Sequence, residues 1–413
     1  MHTMCGQIVT VPCVAAARTT IGDIKCSLAA HNPVMWPAHV QRLMPPIPHQ
    51  NPAASASASG SVDLHGASAA PLIGEDATEL VLPNPSLDDS TTLAAANLGD
   101  DSRLDLLVRW RECDINLHRA FAKCGTHFEL FHDADGDLMA AAIAWALFNR
   151  LNTDLKTINL SNKNISEVGT SLLAKAMDKT PSLHYVNMSH NQVGSVGAAL
   201  LSSALGANSS LRSVLLSHNT IDAGGARALS DMLVVNSHLQ ALHLDYNPIR
   251  PIGAASLGQA LRSNASLKLL NIASSSIGNA GMVSLCDALR TNACLKTLIV
   301  GGNHIGASGA ESLRDVLLIN HSLEQVILSH NCIGNVGATA LAEALLVNQS
   351  LTVLDLASNE IGDAGGSALA RSVAANASLQ LNVLYLADNA IGAAVKDVLR
   401  GTVAARGITH FNC

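Results

Sequence analysis

The chain has 413 residues and a formal net charge of −7, from 25 Lys and Arg against 32 Asp and Glu. It has no Lys/Arg-rich block, which argues against a general nucleic-acid binder, and no apolar run approaching the ~20 residues of a membrane span. Its nine cysteines are an odd number with no Cys-x-x-Cys pair and no zinc-finger spacing; they read as free thiols and predict cytoplasmic residence, with the nucleus as an alternative.

Residues 1–100 carry three basic and eight acidic side chains and runs such as Pro52-Ala-Ala-Ser-Ala-Ser-Ala-Ser-Gly, which predicts a disordered low-complexity arm. The opening stretch to Ala17 is mildly apolar but has no Lys or Arg ahead of it, and Arg18 is its single nearby cation, so neither a secretory signal nor a transit helix is expected. Residues 101–154 are expected to form a helical N-terminal cap, with Trp110, Phe121, Trp145, Leu147 and Phe148 covering an open apolar end. Within this stretch, Asp133-Ala-Asp135-Gly-Asp137 begins like a calcium loop, but its glycine comes too early and Ala144 stands where the closing Glu belongs. It reads as a capping turn whose acids face the positive end of the following helix.

From Leu155 the chain repeats. Leucines recur every 28 residues at Leu155, Leu183, Leu211, Leu239, Leu267, Leu295, Leu323 and Leu351, and the ninth unit is displaced by two residues to Leu381, so the array covers 155–405. Each unit opens as Leu-x-x-apolar-x-apolar, for example Leu239-Gln-Ala-Leu242-His-Leu244, a short strand burying alternate side chains. Next comes an asparagine column, Asn191, Asn219, Asn247, Asn303, Asn331, Asn359 and Asn389, whose amides are expected to form a structural ladder bonding the backbone of adjacent turns. A glycine follows (Gly197, Gly225, Gly253 and their repeats), expected to permit close or unusual backbone geometry where the helix begins. Leucine pairs four apart, such as Leu257 and Leu261, then mark one face of a helix. A second asparagine column, Asn208, Asn236, Asn264, Asn292, Asn320, Asn348 and Asn376, stands at the helix exit, where a left-handed conformation is expected. Residues 406–413 read as a C-terminal cap strand.

The phrases Leu354-Asp-Leu-Ala-Ser-Asn-Glu-Ile-Gly-Asp-Ala-Gly-Gly-Ser-Ala-Leu-Ala370 and Val326-Ile-Leu-Ser-His-Asn-Cys-Ile-Gly-Asn-Val-Gly-Ala-Thr-Ala-Leu-Ala342 resemble the ribonuclease-inhibitor subclass of leucine-rich repeats, and most of all the repeats of NOD-like receptors. The resemblance implies an α/β solenoid, a horseshoe with a parallel concave sheet and convex helices. It does not extend to a receptor's nucleotide-binding domain, because no Gly-x-x-x-x-Gly-Lys-Ser/Thr is present. Two positions depart from the ladder: Lys163 in the first unit, and Ser275, which predicts a loosened or water-bridged turn.

No catalytic, cofactor or metal set emerges. His190 and His218 stand one period apart and could share an ion, but they lack an obvious third ligand, and Tyr246 and Ser274 in the same column indicate a tolerant surface position. The Asn-x-Ser triplets at Asn208, Asn264, Asn320, Asn348 and Asn376 are by-products of the repeat. What remains is the concave face, where His184, Tyr185, Arg212, His243, Asp245, Tyr246, Lys268, Lys296 and Glu324 combine the aromatic and cationic types favoured in protein interfaces. The expected function is therefore a non-enzymatic scaffold or adaptor for a protein partner, without nucleic acid, membrane or small-molecule substrate. The resemblance leaves two alternatives: a regulator of a small GTPase or other enzyme, as in Ran GTPase-activating proteins and the ribonuclease inhibitor, or a structural subunit of a ciliary or flagellar assembly.

Overall fold

The computed structural model describes residues 127–129, 136–148, 153–177 and 180–413. The expected arm, Trp110, Phe121, Asp133, Asp135 and the side chains of Trp145 and Phe148 lie outside the described residues. In chain order the elements are β1 (His127–Glu129), α1 (Gly136–Phe148), β2 (Thr157–Asn159), α2 (Glu167–Met177), β3 (Tyr185–Asn187), α3 (Gly194–Ala207), β4 (Ser213–Leu215), α4 (Ala223–Val235), β5 (Ala241–His243) and α5 (Arg250–Leu261). They continue as β6 (Leu269–Asn271), α6 (Gly278–Leu289), β7 (Thr297–Ile299), α7 (Ala307–Leu317), β8 (Gln325–Ile327), α8 (Gly334–Leu345), β9 (Val353–Asp355), α9 (Asp363–Ala375), β10 (Val383–Tyr385), α10 (Ala393–Ala405) and β11 (His410–Asn412).

The strands form one parallel sheet of 11 in sequential order, each pairing with the next at the repeat register, as in Tyr185↔Ser213↔Ala241↔Leu269. Short strands suffice because each turn needs only one inward residue from its strand centre. Ile158, Val186, Val214, Leu242, Leu270, Leu298, Val326, Leu354 and Leu384 form that buried column. The helix leucines close the core from the other side, so one continuous apolar interior runs the length of the array, and each unit depends on its neighbours for burial. Two findings refine the stretch 101–154, expected to be helical: β1 joins the sheet beside β2, and α1 packs in the helix layer with Met139, Ile143 and Leu147 buried.

The first asparagine column bonds adjacent turns. Asn247 Nδ2 donates to Leu216 O at 2.8 Å and Leu244 O at 2.9 Å, while its Oδ1 accepts from Asn219 N and Ile221 N, both at 2.9 Å. The second column works differently from the sequence expectation. Asn208 and Asn236 are extended, with φ −71° and −78°, so left-handed tolerance does not explain them. Asn264 shows the cause: Nδ2 donates to Leu233 O at 2.7 Å and Asn236 O at 3.1 Å, and Oδ1 accepts from Ser266 N and Leu267 N. This is a second amide ladder, satisfying the terminal carbonyls of the preceding helix.

Asp137 also acts across units. Its Oδ1 accepts from Ser166 N at 2.7 Å and Gly169 N at 3.0 Å at the start of the next helix, α2. Asn279 does the same for Gly306 and Gly309, and Asn335 for Gly362 and Gly365. These side chains satisfy amides that a helix start otherwise leaves unpaired.

The column glycines serve close packing, since their backbone is ordinary helix. A Cβ on Gly253 would stand 2.6 Å from Ile249 Cγ2 and 3.0 Å from Ala226 Cβ of the preceding helix. Left-handed backbone falls elsewhere, on the residue before the ladder position, as at His190, His218, Tyr246, Ser274, Gly302, His330 and Ser358, and again just after it, as at Thr220, Ser276, His304 and Glu360. Gly258 is tighter still, because its Cβ would lie 2.7 Å from the Ser284 carbonyl oxygen, which is backbone and cannot rotate away. Gly258→Ala is therefore expected to cost about 1–3 kcal/mol despite alanine's better helix propensity, measured as a lowered Tm.

Ser275 leaves its turn closed by direct bonds. It is fully buried, its Oγ donates to Ala273 O at 3.1 Å and its N–H donates to Asn303 Oδ1 at 2.9 Å. One unit earlier, the Ile249 N–H turns to Asn247 O at 2.7 Å and the Arg250 N–H to Ser275 O at 2.9 Å. Pro248, which has no N–H to satisfy, sits in that rebonded turn.

Candidate functional site

With the middle residue of each strand buried, the two flanking residues face outward, and their columns make the concave surface. One column reads Tyr185, Ser213, Ala241, Leu269 and the next Asn187, Leu215, His243, Asn271. Ser213 and Ala241 are small, so the surface steps down beside Tyr185 and rises again at Leu269. Burial at the start of β3 pushes the Tyr185 phenol above its ordinary value.

At the exit of the strands the left-handed backbone turns successive side chains outward in register. His190, His218 and Tyr246 stack there: ring centroids are 4.2 Å apart for the His pair and 4.1 Å for His218 and Tyr246, with interplanar angles of 16° and 11°. Tyr246 ends the column with 54% of its surface exposed. Imidazole lone pairs lie in the ring plane, so two nearly parallel stacked rings do not converge on one ion. Among the described residues no group of three or more His, Cys, Asp or Glu is arranged to hold a metal.

Beside Tyr246, Asp245 accepts from Ser217 Oγ at 2.7 Å and Asn271 Nδ2 at 2.8 Å, a clamp across three consecutive turns that fixes the carboxylate. His243 Nδ1 lies 3.4 Å from the same Asn271 amide. Burial lowers the His243 pKa, and the Asp245 charge opposes it. His218 is also lowered, by burial and then by His190, again against Asp245.

Folded midpoints below the ordinary 6.5 mean that the unfolded chain takes up protons first as pH falls through 6.5, so these two groups withdraw stability on acidification and cost nothing above it. In an NMR titration the His218 midpoint is expected below 6.5 and is expected to rise in His190→Ala; a midpoint at or above 6.5 in the unaltered chain would contradict the stacked geometry.

The remaining sequence-selected residues are spread more widely. His184 is exposed immediately before β3. Arg212 folds back, its Nη1 donating to Ser209 O at 2.7 Å and Ser210 O at 3.0 Å, so its guanidinium is held by its own turn. Lys268 is exposed before β6, and Lys296 pairs with Glu324 at 2.8 Å farther along the array. The structure thus gathers His243, Asp245 and Tyr246 with Ser217, His218 and Asn271, and places Lys296 and Glu324 apart from them. The repeat spacing sets His190 and His218 on successive turns; that their rings stack, with Tyr246 as a third member at the same spacing, emerges only in the fold.

The family described as Leucine Rich repeat matches seven stretches, residues 180–202, 207–230, 235–258, 263–286, 291–313, 320–342 and 347–370. Residues 180–370 are an array of leucine-rich repeats. No curated protein matches the chain. Solved structures similar to it include an internalin of Listeria monocytogenes at 18% identity, covering 70% of this chain and 81% of that one with a TM-score of 0.40. Others are the leiomodin-1 actin-binding site 2, at 20% identity over 37% and 87% with a TM-score of 0.32, and the tropomodulin C-terminal domain of Caenorhabditis elegans, at 19% over 36% and 92% with a TM-score of 0.32. Among the described residues of the array, no helix is long and apolar enough to cross a membrane.

Proposed function

We propose that this leucine-rich-repeat array is a non-enzymatic scaffold that binds a protein partner on the part of its concave face running from β3 to β6. The observation that carries the reading is the ordered cluster of Tyr246, His218, Asp245 and His243. The Tyr246 and His218 rings are exposed yet held by stacking, and the Asp245 carboxylate is fixed by two neighbouring turns. Side chains ordered before contact lose little freedom on binding, and aromatic residues in such settings make strong anchors. The array is of the ribonuclease-inhibitor type, a reading supported by the 28-residue register and by helices of 11 to 14 residues in every complete unit.

The test uses the full chain as bait in its native cell extract, beside a chain carrying Tyr185→Ala, His243→Ala and Tyr246→Ala. Arg212, whose Nη1 already bonds carbonyls of its own turn, is left unaltered in this variant. Captured protein is expected to fall away with the triple variant while circular dichroism is unchanged. Undiminished recovery would remove this face from consideration.

A further inference from the structure

The residue just before each strand forms a row along one rim of the concave sheet: Lys156, His184, Arg212, Gln240, Lys268 and Lys296. Four are cations, a fifth is a histidine, and no carboxylate stands in the row until Glu324, which Lys296 engages. At one strand spacing per turn the row is about 24 Å long. Asp154 stands two residues before Lys156, Glu129 of β1 pairs beside Asn159, and Asp245 stands five residues along the chain from Gln240 with its carboxylate held by Ser217 and Asn271. Alongside the cations, toward the middle of the sheet, stand half-buried Leu215, Leu269 and Ile299. The face therefore offers a cationic rim against an apolar centre.

The chain itself contains a segment of complementary chemistry. Between Arg42 and Arg103 there is no Lys or Arg, and this interval holds eight carboxylates. The densest part is Glu75-Asp-Ala-Thr-Glu-Leu-Val-Leu-Pro-Asn-Pro-Ser-Leu-Asp-Asp89, in which two carboxylate clusters flank Leu80-Val-Leu82. Extended at about 3.3 Å per residue, Asp76 and Glu79 are roughly 10 Å apart, close to the two-strand spacing that separates Lys156 from Arg212 and Arg212 from Lys268. Asp89 and His127 are 38 positions apart in one chain, and tethering raises the effective concentration above that of a free peptide.

We infer that residues 75–89 dock along the concave face in cis, their carboxylates on the Lys156, Arg212, Lys268 and Lys296 rim and Leu80-Val-Leu82 against the Leu215, Leu269 and Ile299 centre. The inference rests on the reading that the concave sheet is the binding face, and it makes the arm an occupant that a protein partner displaces. Each ion pair is exposed and weak alone, and five carboxylates on one tether act together.

The test is carbodiimide coupling of the full chain, followed by peptide mass spectrometry. The Lys296–Glu324 pair serves as an internal control because its amine and carboxylate already touch at 2.8 Å. Within the monomer, amide links are expected from Glu75, Asp76, Glu79, Asp88 or Asp89 to Lys156, Lys268 or Lys296. They should fall about tenfold in about 1 M salt, where the Debye length is about 3 Å; a full chain carrying E75Q, D76N, E79Q, D88N and D89N, which cannot couple at those positions, sets the background. Control links without arm links, or arm links confined to dimers, would overturn the inference. Partner capture by the same neutralised chain separates the two readings. Arm links with no captured partner would sink the scaffold reading alone, and a captured partner lost with the concave triple variant, without arm links, would sink docking alone.

Discussion

Replacing Asn303 with Ala is expected to destabilise the centre of the array by about 2–5 kcal/mol, because one buried amide there serves two turns. Its Oδ1 accepts from Ser275 N at 2.9 Å and Ile277 N at 3.2 Å, and its Nδ2 donates to Ile272 O and Val300 O. Alanine would leave two buried N–H groups without acceptors, at about 1–3 kcal/mol each. The neighbouring unit cannot compensate, since Ser275 has already replaced its own ladder amide and its hydroxyl is committed to Ala273 O. The loss should appear first as local opening, given that stability in a stacked array is largely a nearest-neighbour property. Native-state hydrogen exchange would show faster exchange across 272–305 before urea unfolds the ends. Asn303→Ala with unchanged protection there would mean that the ladder amide contributes little.

Tyr246→Ala alone should weaken binding of the captured partner about 30-fold, the effect of one anchor worth about 2 kcal/mol. The ring is the exposed end of a three-member stack, so its loss removes contact area and uncovers the His218 face as well. His190→Ala, at the far end of the stack, should weaken binding less while still moving the His218 titration. Isothermal calorimetry with purified partner would measure both. Equal and negligible effects would show that the stack is only a feature of the turn.

The architecture was legible in the sequence because every unit repeats the same physical problem. A leucine column, an alternating strand and a glycine at fixed spacing admit one packing, and the register Val186↔Val214↔Leu242 follows from it. Some reasons behind the pattern were hidden. The second asparagine column was explained by backbone tolerance, whereas Asn264 is there for its amide bonds to Leu233 and Asn236, 31 and 28 residues away. Such partners are separated by a whole turn of the solenoid, so local rules about helix ends do not find them. Asp137 shows the same limit: the sequence placed it at its own helix, and its carboxylate caps the next one.

The surface was less legible than the core. Burial imposes a periodic constraint, and exposure imposes none, so the concave residues differ from turn to turn. In the sequence Tyr246 marks its column as a tolerant surface position and also stands among the concave-face candidates. In the folded chain the column is left-handed, and that conformation aims His190, His218 and Tyr246 the same way, close enough to stack. Arg212 is of a residue type suited to interfaces, and its Nη1 is bound to the carbonyls of its own turn, a local contact that the sequence pattern does not show.

The claim that a protein partner covers the concave face between β3 and β6 is tested most directly by footprinting the histidines with diethylpyrocarbonate, with and without the captured partner. His184, His190 and His218 are exposed on or beside that face, and exposed His321 lies two turns beyond it, in the stretch between α7 and β8. Bound partner should suppress modification of the first three and leave His321 unchanged. Protection of His321 with continued modification of His184, His190 and His218 would place the partner elsewhere and contradict the account.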